Sequence, residues 1–316
     1  MTGSLVAGYD LLLVDLDGTV YAGAVAIDGA AEALAGLPVV YVTNNASRAP
    51  SDVAQHLRDL GFAAPDDSVV TSAQAGARLL ATLVPGGTPT LVVGAPALRA
   101  EVQGRGLIPV DRAEDAHAVI QGHSPETDWA LLSEAALAIR AGATWVATNT
   151  DATLPTERGL MVGNGSMVAA VANATGATPR VAGKPGTPIL SAAVDEAGAT
   201  SPLVVGDRLD TDIEGGNALG ADTLLVLTGV NTVADVIAAP DVHQPTYVAK
   251  TLAALHEPRA QSVPGPRPGW SATVEDDQVI VTGSTDADPD DATYVAIAAA
   301  RELPEDRRAG LTLVVR

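Results

Sequence analysis

Leu11-Leu12-Leu13-Val14-Asp15-Leu16-Asp17-Gly18-Thr19 sets two carboxylates, one residue apart, directly after a run of four apolar residues. Four consecutive apolar residues fit a central parallel strand covered on both faces, and Asp, Gly and Thr then favour a turn over further strand. Side chains alternate along an extended chain, so Asp15 and Asp17 can point the same way. Ligands and chemistry in open α/β sheets gather at the carboxyl ends of such strands. Read alone, the pair is also compatible with an N-cap, plain turn chemistry or the first ligands of a calcium loop. The calcium loop fails by counting, because its sixth and twelfth positions require Gly and Glu; from Asp15 these are Val20 and Ala26.

Three further segments carry polar chemistry of the same kind, two of them at strand ends. Val39-Val40-Tyr41-Val42 is a second β-type run ending in Thr43-Asn44-Asn45, a hydroxyl and a turn backbone suited to phosphate oxygens or, equally, to capping a helix. Gly183-Lys184-Pro185 holds a cation in a tight turn before a helical pattern from Thr187 to Ala197, in a chain with only 18 Lys and Arg. Leu203-Val204-Val205-Gly206-Asp207 is a third strand with an acidic end, and Asp212 follows one helical turn later.

In this order the four segments resemble the motifs of the haloacid dehalogenase superfamily of phosphatases: Asp-x-Asp-x-Thr, a strand-end Thr, a Lys, and a Gly-Asp pair followed by another Asp. The resemblance implies that Asp15 attacks phosphorus in line and forms an aspartyl-phosphate, splitting one hard displacement into two. Asp17 would protonate the leaving alkoxide and then deprotonate the attacking water. Thr43, the backbone at Asn44, and Lys184 would stabilise the transferring phosphoryl group. Mg²⁺ would be held by Asp15, Asp207 and the backbone carbonyl of Asp17, with Asp212 acting through water. Charge supports the cation independently, since clustered carboxylates without metal would repel a phosphate.

Composition removes competitors. Without cysteine there is no thiol nucleophile, disulfide or thiolate zinc site. The five histidines, at 56, 117, 123, 243 and 256, have no metal-binding spacing. Gly183-Lys184 is followed by Pro185, where a P-loop needs Ser or Thr. A formal net charge of -20 disfavours nucleic acid and acidic membrane surfaces as partners. No basic-then-apolar leader precedes Asp15, which predicts a cytoplasmic protein with no membrane span. At 316 residues and 47% hydrophobic, the chain can fill more than one core, mainly with Ala, Val and Leu.

The predicted fold class is α/β: a Rossmann-like, doubly wound parallel-sheet core with an inserted α/β cap and a small C-terminal α/β extension. Residues 1–84 and 178–257 form the core, 85–177 the cap, 258–269 a proline-rich linker and 270–316 the extension. Gly86-Gly87-Thr88-Pro89 marks the entry to the cap, where strand and helix patterns restart. An insertion between the Thr43 and Lys184 segments, with Gln121-Gly122-His123 and Thr148-Asn149-Thr150-Asp151, is similar to the nitrophenyl-phosphatase subgroup. That subgroup includes phosphoglycolate and glycerol-3-phosphate phosphatases. The resemblance implies cap contacts with the substrate, for which Asn149, Asp151 and Arg158 are candidates; each also reads as a turn or solvated residue. The pattern predicts Ser166 as the cap of the helix running through Val171. Asp286, Asp288 and Asp290 read as a solvated acidic turn, since Asp291 and Ile297 fill the sixth and twelfth calcium-loop positions. The extension loosely resembles part of an acetyltransferase-like fold but lacks a Gly-rich pyrophosphate loop, and reads as structural or regulatory.

The functional expectation is a Mg²⁺-dependent phosphomonoesterase acting on a small phosphorylated metabolite, glycerol 3-phosphate first. Phosphoglycolate, pyridoxal phosphate and nucleoside monophosphates are alternatives, and homo-oligomerisation is compatible with the chain. A different class is a phosphate-binding regulatory protein that recruits a partner through its tail.

Overall fold

The computed structural model describes residues 3–156 and 158–316. It resolves into two compact units, one running to residue 39 and resuming at Ala197–Arg316, the other Val40–Glu196. No helix among the described residues is long and apolar enough to cross a membrane.

In the first unit, four parallel strands lie in the order Tyr247–Ala249, Asp222–Val226, Pro202–Gly206, Leu11–Val14. All four residues of Leu11–Val14 are buried, as a strand covered on both faces requires. The register pairs Val14 with Val205, which aligns the ends of these two strands and brings Asp15 and Asp207 to one rim. Beyond Asp15 the Leu16 carbonyl accepts from the N–H groups of Thr19, Val20 and Tyr21 at 3.2, 2.9 and 3.3 Å. Gly18 makes this tight loop with φ 85°, a conformation that costs an L side chain steric strain.

The extension is part of this unit. A hairpin, Trp270–Glu275 with Gln278–Gly283, takes Thr312–Val315 as a parallel third strand. Its Val279, Val281, Val295, Ala296, Ile297 and Leu311 share one apolar cluster with Leu209, Ile213, Leu225, Val236, Ile237 and Val248. Fewer than fifty residues bury too little apolar surface to fold alone, and the shared cluster supplies what is missing. Arg301 donates to Gln244 and the Pro245 carbonyl at 2.8 and 2.6 Å, and buried Arg308 pairs with Asp241 at 2.6 Å. The proline-rich stretch is anchored to the rest of the unit. Its Arg267 bonds Asp291 at 3.0 Å and the carbonyls of Ala260, Gln261 and Val263, and stacks over the Tyr294 ring.

In the second unit, Val39–Thr43 pairs in parallel with Val69–Thr71. A five-stranded parallel sheet follows, ordered Arg180–Val181, Thr144–Ala147, Ala118–Gln121, Pro89–Val93, Ile108–Val110. Its strands alternate their buried residues between two faces. Val92, Ala118, Ile120 and Val146 meet Ala73, Ala77 and Leu80 of the helix Ser72–Leu83, which begins with a capping box between Thr71 and Gln74. Leu91, Val93, Val119, Trp145 and Ala147 meet helices Trp129–Arg140 and Asn164–Thr175. The last of these helices corrects one reading: its N-cap is Gly163, and Ser166 lies inside it, its hydroxyl donating to the Ala152 carbonyl at 2.7 Å. A hairpin of Thr153–Thr156 and Gly159–Val162, which the periodicity did not reveal, precedes it.

Candidate active site

In the first unit the carboxylates of Asp15, Asp207 and Asp212 each offer an oxygen within 4.8 Å of the others. Asp15 is half-buried, and Asp207 and Asp212 are buried. The backbone explains the convergence. Asp15 donates its N–H to the Val205 carbonyl at 2.8 Å, completing the strand pairing one residue past the Leu11–Val14 run. Asp212 returns through a wide π-type turn, Leu209–Ile213, whose Asp212 and Ile213 N–H groups both donate to the Arg208 carbonyl at 3.1 Å. Gly206 makes this return possible: a Cβ there would lie 2.2 Å from the Asp212 carboxyl carbon. Asp212 also accepts from the Arg208 N–H at 3.2 Å, which caps the turn. Arg208 itself forks onto Asp210 at 3.0 and 2.8 Å.

Three carboxylates gathered so closely at a strand rim fit a hard divalent cation. Their mutual repulsion is offset by such an ion, and oxygen-only donors suit Mg²⁺ or Ca²⁺ better than softer metals. The Asp17 carboxylate is exposed and lies outside this trio. That separation matches a division between groups that hold a cation and a group that moves a proton.

The second unit collects Thr43, Asn44, Asn149, Asp151 and Lys184. Thr43 is buried and its Oγ1 accepts from the Asn45 N–H at 3.1 Å, tightening the turn after the strand. The Asn44 side chain clamps Lys184: Oδ1 accepts the Lys184 N–H at 2.8 Å and Nδ2 donates to the Lys184 carbonyl at 3.0 Å. Nδ2 also reaches both oxygens of Asp151 at 3.2 Å. The Asn44 carbonyl in turn accepts from Asn149 Nδ2 at 2.6 Å and Ser72 Oγ at 2.5 Å. The ammonium of Lys184, 3% exposed, donates to the Val42 carbonyl at 3.2 Å. Asn149 and Asp151 are therefore engaged in holding the Thr43–Asn44 loop and the Lys184 turn. Arg158 stands apart, exposed at the hairpin turn, its N–H donating to Thr156 Oγ1 at 3.2 Å.

Sequence reasoning missed the loop after the strand Asp222–Val226. There Thr228 Oγ1 donates to the Gly18 carbonyl at 2.6 Å and the Val230 N–H donates to Asp207 Oδ2 at 2.7 Å. The strand-end rule that singled out Asp15 and Asp207 applies equally to Thr223–Leu227, and Thr-Gly-Val-Asn beyond it carried the signal.

The fold and these motifs define the class: the chain belongs to the haloacid dehalogenase-like hydrolases. The haloacid dehalogenase-like hydrolase model matches residues 12–108, and a second, HAD-hydrolase-like model matches 181–255. Among its relatives, the D-glycerol 3-phosphate phosphatase of Mycobacterium tuberculosis is 49% identical over 315 residues, covering 98% of this chain and 89% of that one. The crystal structure of glycerol phosphate phosphatase from the same organism, in complex with magnesium, superposes with a TM-score of 0.93 at 47% identity, covering 100% of this chain and 95% of that one. An acid sugar phosphatase of Staphylococcus epidermidis is 39% identical over 251 residues, 77% of this chain and 95% of its own length. The relatives are phosphatases, and this chain is a phosphatase of the same Rossmann-like fold.

Proposed function

We propose that the protein is a Mg²⁺-dependent phosphomonoesterase that hydrolyses glycerol 3-phosphate through an aspartyl-phosphate on Asp15. The observation that carries this reading is the convergence, within 4.8 Å, of Asp15 and Asp207 at the ends of adjacent strands with Asp212 from the turn that follows. The substrate rests on the 49% identity to the D-glycerol 3-phosphate phosphatase, which spans the C-terminal extension as well.

In this mechanism Asp15, Asp207 and the Asp17 backbone carbonyl would hold the cation, with Asp212 beside them acting through water or on the other ligands. Bound Mg²⁺ supplies positive charge that draws the phosphoryl oxygens in and offsets carboxylate repulsion. Asp15 Oδ attacks phosphorus while the exposed Asp17 gives a proton to the glycerol oxygen as it leaves. Asp17 then takes a proton from the water that cleaves the aspartyl-phosphate, restoring both carboxyl groups. Lys184, Thr43 and the Asn44 backbone stabilise charge on the transferring group. The clamp from Asn44 fixes the Lys184 backbone, and Asn149 and Asp151 support that clamp. Asn149, Asp151 and Arg158 are the candidates for the non-phosphate end of the substrate. We divide the chain into a core of residues 1–84 and 178–257, a cap of 85–177, a linker of 258–269 and an extension of 270–316.

The test is inorganic phosphate release from glycerol 3-phosphate, phosphoglycolate, pyridoxal phosphate and nucleoside monophosphates, each with Mg²⁺ and with chelator. Turnover of glycerol 3-phosphate above the others, and only with Mg²⁺, is the expected result. Negligible turnover of every compound would remove the proposal, and preference for another compound would remove its substrate.

A further inference from the structure

We infer that the loop Thr228–Asn231 is a positioning element for the cation site, and that the Thr228 hydroxyl acts on Mg²⁺ affinity without touching the ion. The inference rests on the reading of Asp15, Asp207 and Asp212 as the cation site. Neither Thr228 nor its loop belongs to the four motifs that suggested the chemistry.

The loop makes four bonds to the two segments that carry those ligands. Thr228 Oγ1 donates to the Gly18 carbonyl at 2.6 Å, one residue beyond Asp17. The Val230 N–H donates to Asp207 Oδ2 at 2.7 Å. Asn231 accepts the Leu209 N–H on its Oδ1 at 2.8 Å and gives its own N–H to the Asp207 carbonyl at 3.3 Å. One loop thus ties the turn after Asp15 to both sides of Asp207.

Shape adds to the bonding. A Cβ on Gly229 would stand 2.0 Å from Asp207 Oδ2, and a Cβ on Gly18 would stand 2.4 Å from the same oxygen. Asp207 Oδ2 therefore sits in a slot with a glycine on each wall and a backbone N–H at its end. The carboxylate cannot rotate out of this slot without giving up the Val230 bond. Mg²⁺ demands near-ideal octahedral geometry, so a carboxylate already held in place loses less freedom on binding it. Outer groups that orient metal ligands change affinity roughly 10- to 100-fold when removed. Thr228 acts through an uncharged hydrogen bond and one further residue, so the lower end of that range applies.

The experiment is calorimetric titration of the full chain with Mg²⁺ alone, without substrate, alongside thermal melts in chelator and in saturating Mg²⁺. Thr228→Val keeps the side-chain shape and removes the donor; Thr228→Ser restores it. Expected are Mg²⁺ binding weakened about 10-fold in Thr228→Val, recovery in Thr228→Ser, and a smaller Mg²⁺-induced rise in melting temperature for the valine variant. Gly229→Ala, which crowds Asp207 directly, weakens binding by at least as much. A Thr228→Val chain that binds Mg²⁺ as the parent does, whether or not its chelated form melts lower, would show a merely structural hydroxyl and overturn the inference. A parent chain without saturable Mg²⁺ binding would instead overturn the cation reading on which it rests.

Discussion

Asp15 and Asp17 sit two positions apart yet have different environments, and their substitutions separate by chemistry. Asp15→Asn removes the nucleophile, and phosphate release should fall by more than about 10³-fold with the fold intact by circular dichroism. Asp17→Asn should cost roughly 10²- to 10⁴-fold with glycerol 3-phosphate. With an activated aryl phosphate, whose leaving group needs little protonation, the same variant should still label Asp15 with phosphate, detectable by intact-protein mass. His123 gives a pH prediction. Its Nδ1 and carbonyl both meet Ser47 Oγ, at 3.2 and 3.1 Å, and burial lowers its pKa from the usual histidine range. Between that lowered value and about 6.5 the unfolded chain binds more protons than the folded one. Stability present above this window should therefore decline as pH falls through it. Denaturant melts at about pH 7.5 and about pH 5.5 should show a smaller decline for His123→Asn than for the parent; parallel declines would contradict the assignment.

At the scale of the element, the decisive feature is how strand ends and short turns are placed. Pairing Val14 with Val205 puts Asp15 and Asp207 at one rim, and the Leu209–Ile213 turn brings Asp212 back to them. The return depends on the absent side chain at Gly206. Gly206→Ala places a methyl group 2.2 Å from the Asp212 carboxyl carbon, so Asp212 must shift. Overpacking of this kind costs about 1–3 kcal/mol. The expected result is a lower melting temperature together with a raised Mg²⁺ requirement for phosphate release. A normal Mg²⁺ requirement would show that Asp212 is dispensable to the site.

For the whole molecule, the C-terminal extension is the feature that most changes what stability means. Ile297 is fully buried in a cluster shared with Leu209, Ile213 and Val236, so a cavity there loosens the unit that carries the carboxylates. Ile297→Ala should cost about 2–5 kcal/mol, read from the denaturant midpoint followed by circular dichroism. Removing residues 270–316 uncovers the same apolar surface and should give insoluble protein. A soluble truncated chain with the parent's melting behaviour would refute the shared core.

By itself the sequence determined the α/β class and the strand-end carboxylates Asp15 and Asp207, whereas the return of Asp212 to them was decided by the Leu209–Ile213 turn and the bare Gly206. Four-residue apolar runs and the motifs after them are local signals, readable without neighbours. Asn149 and Asp151 were legible as polar turn residues, but only tertiary structure decided that they hold Asn44 and, through it, Lys184, across 105 and 107 residues of chain. The same holds for Thr228, which lies 210 residues from the carbonyl it bonds. It holds too for the proline-rich stretch, whose composition signals a spacer until Arg267 finds its carbonyl partners and the Tyr294 ring. Hydrogen bonds and packing between distant segments depend on register and approach distance, and no local pattern of residues encodes either.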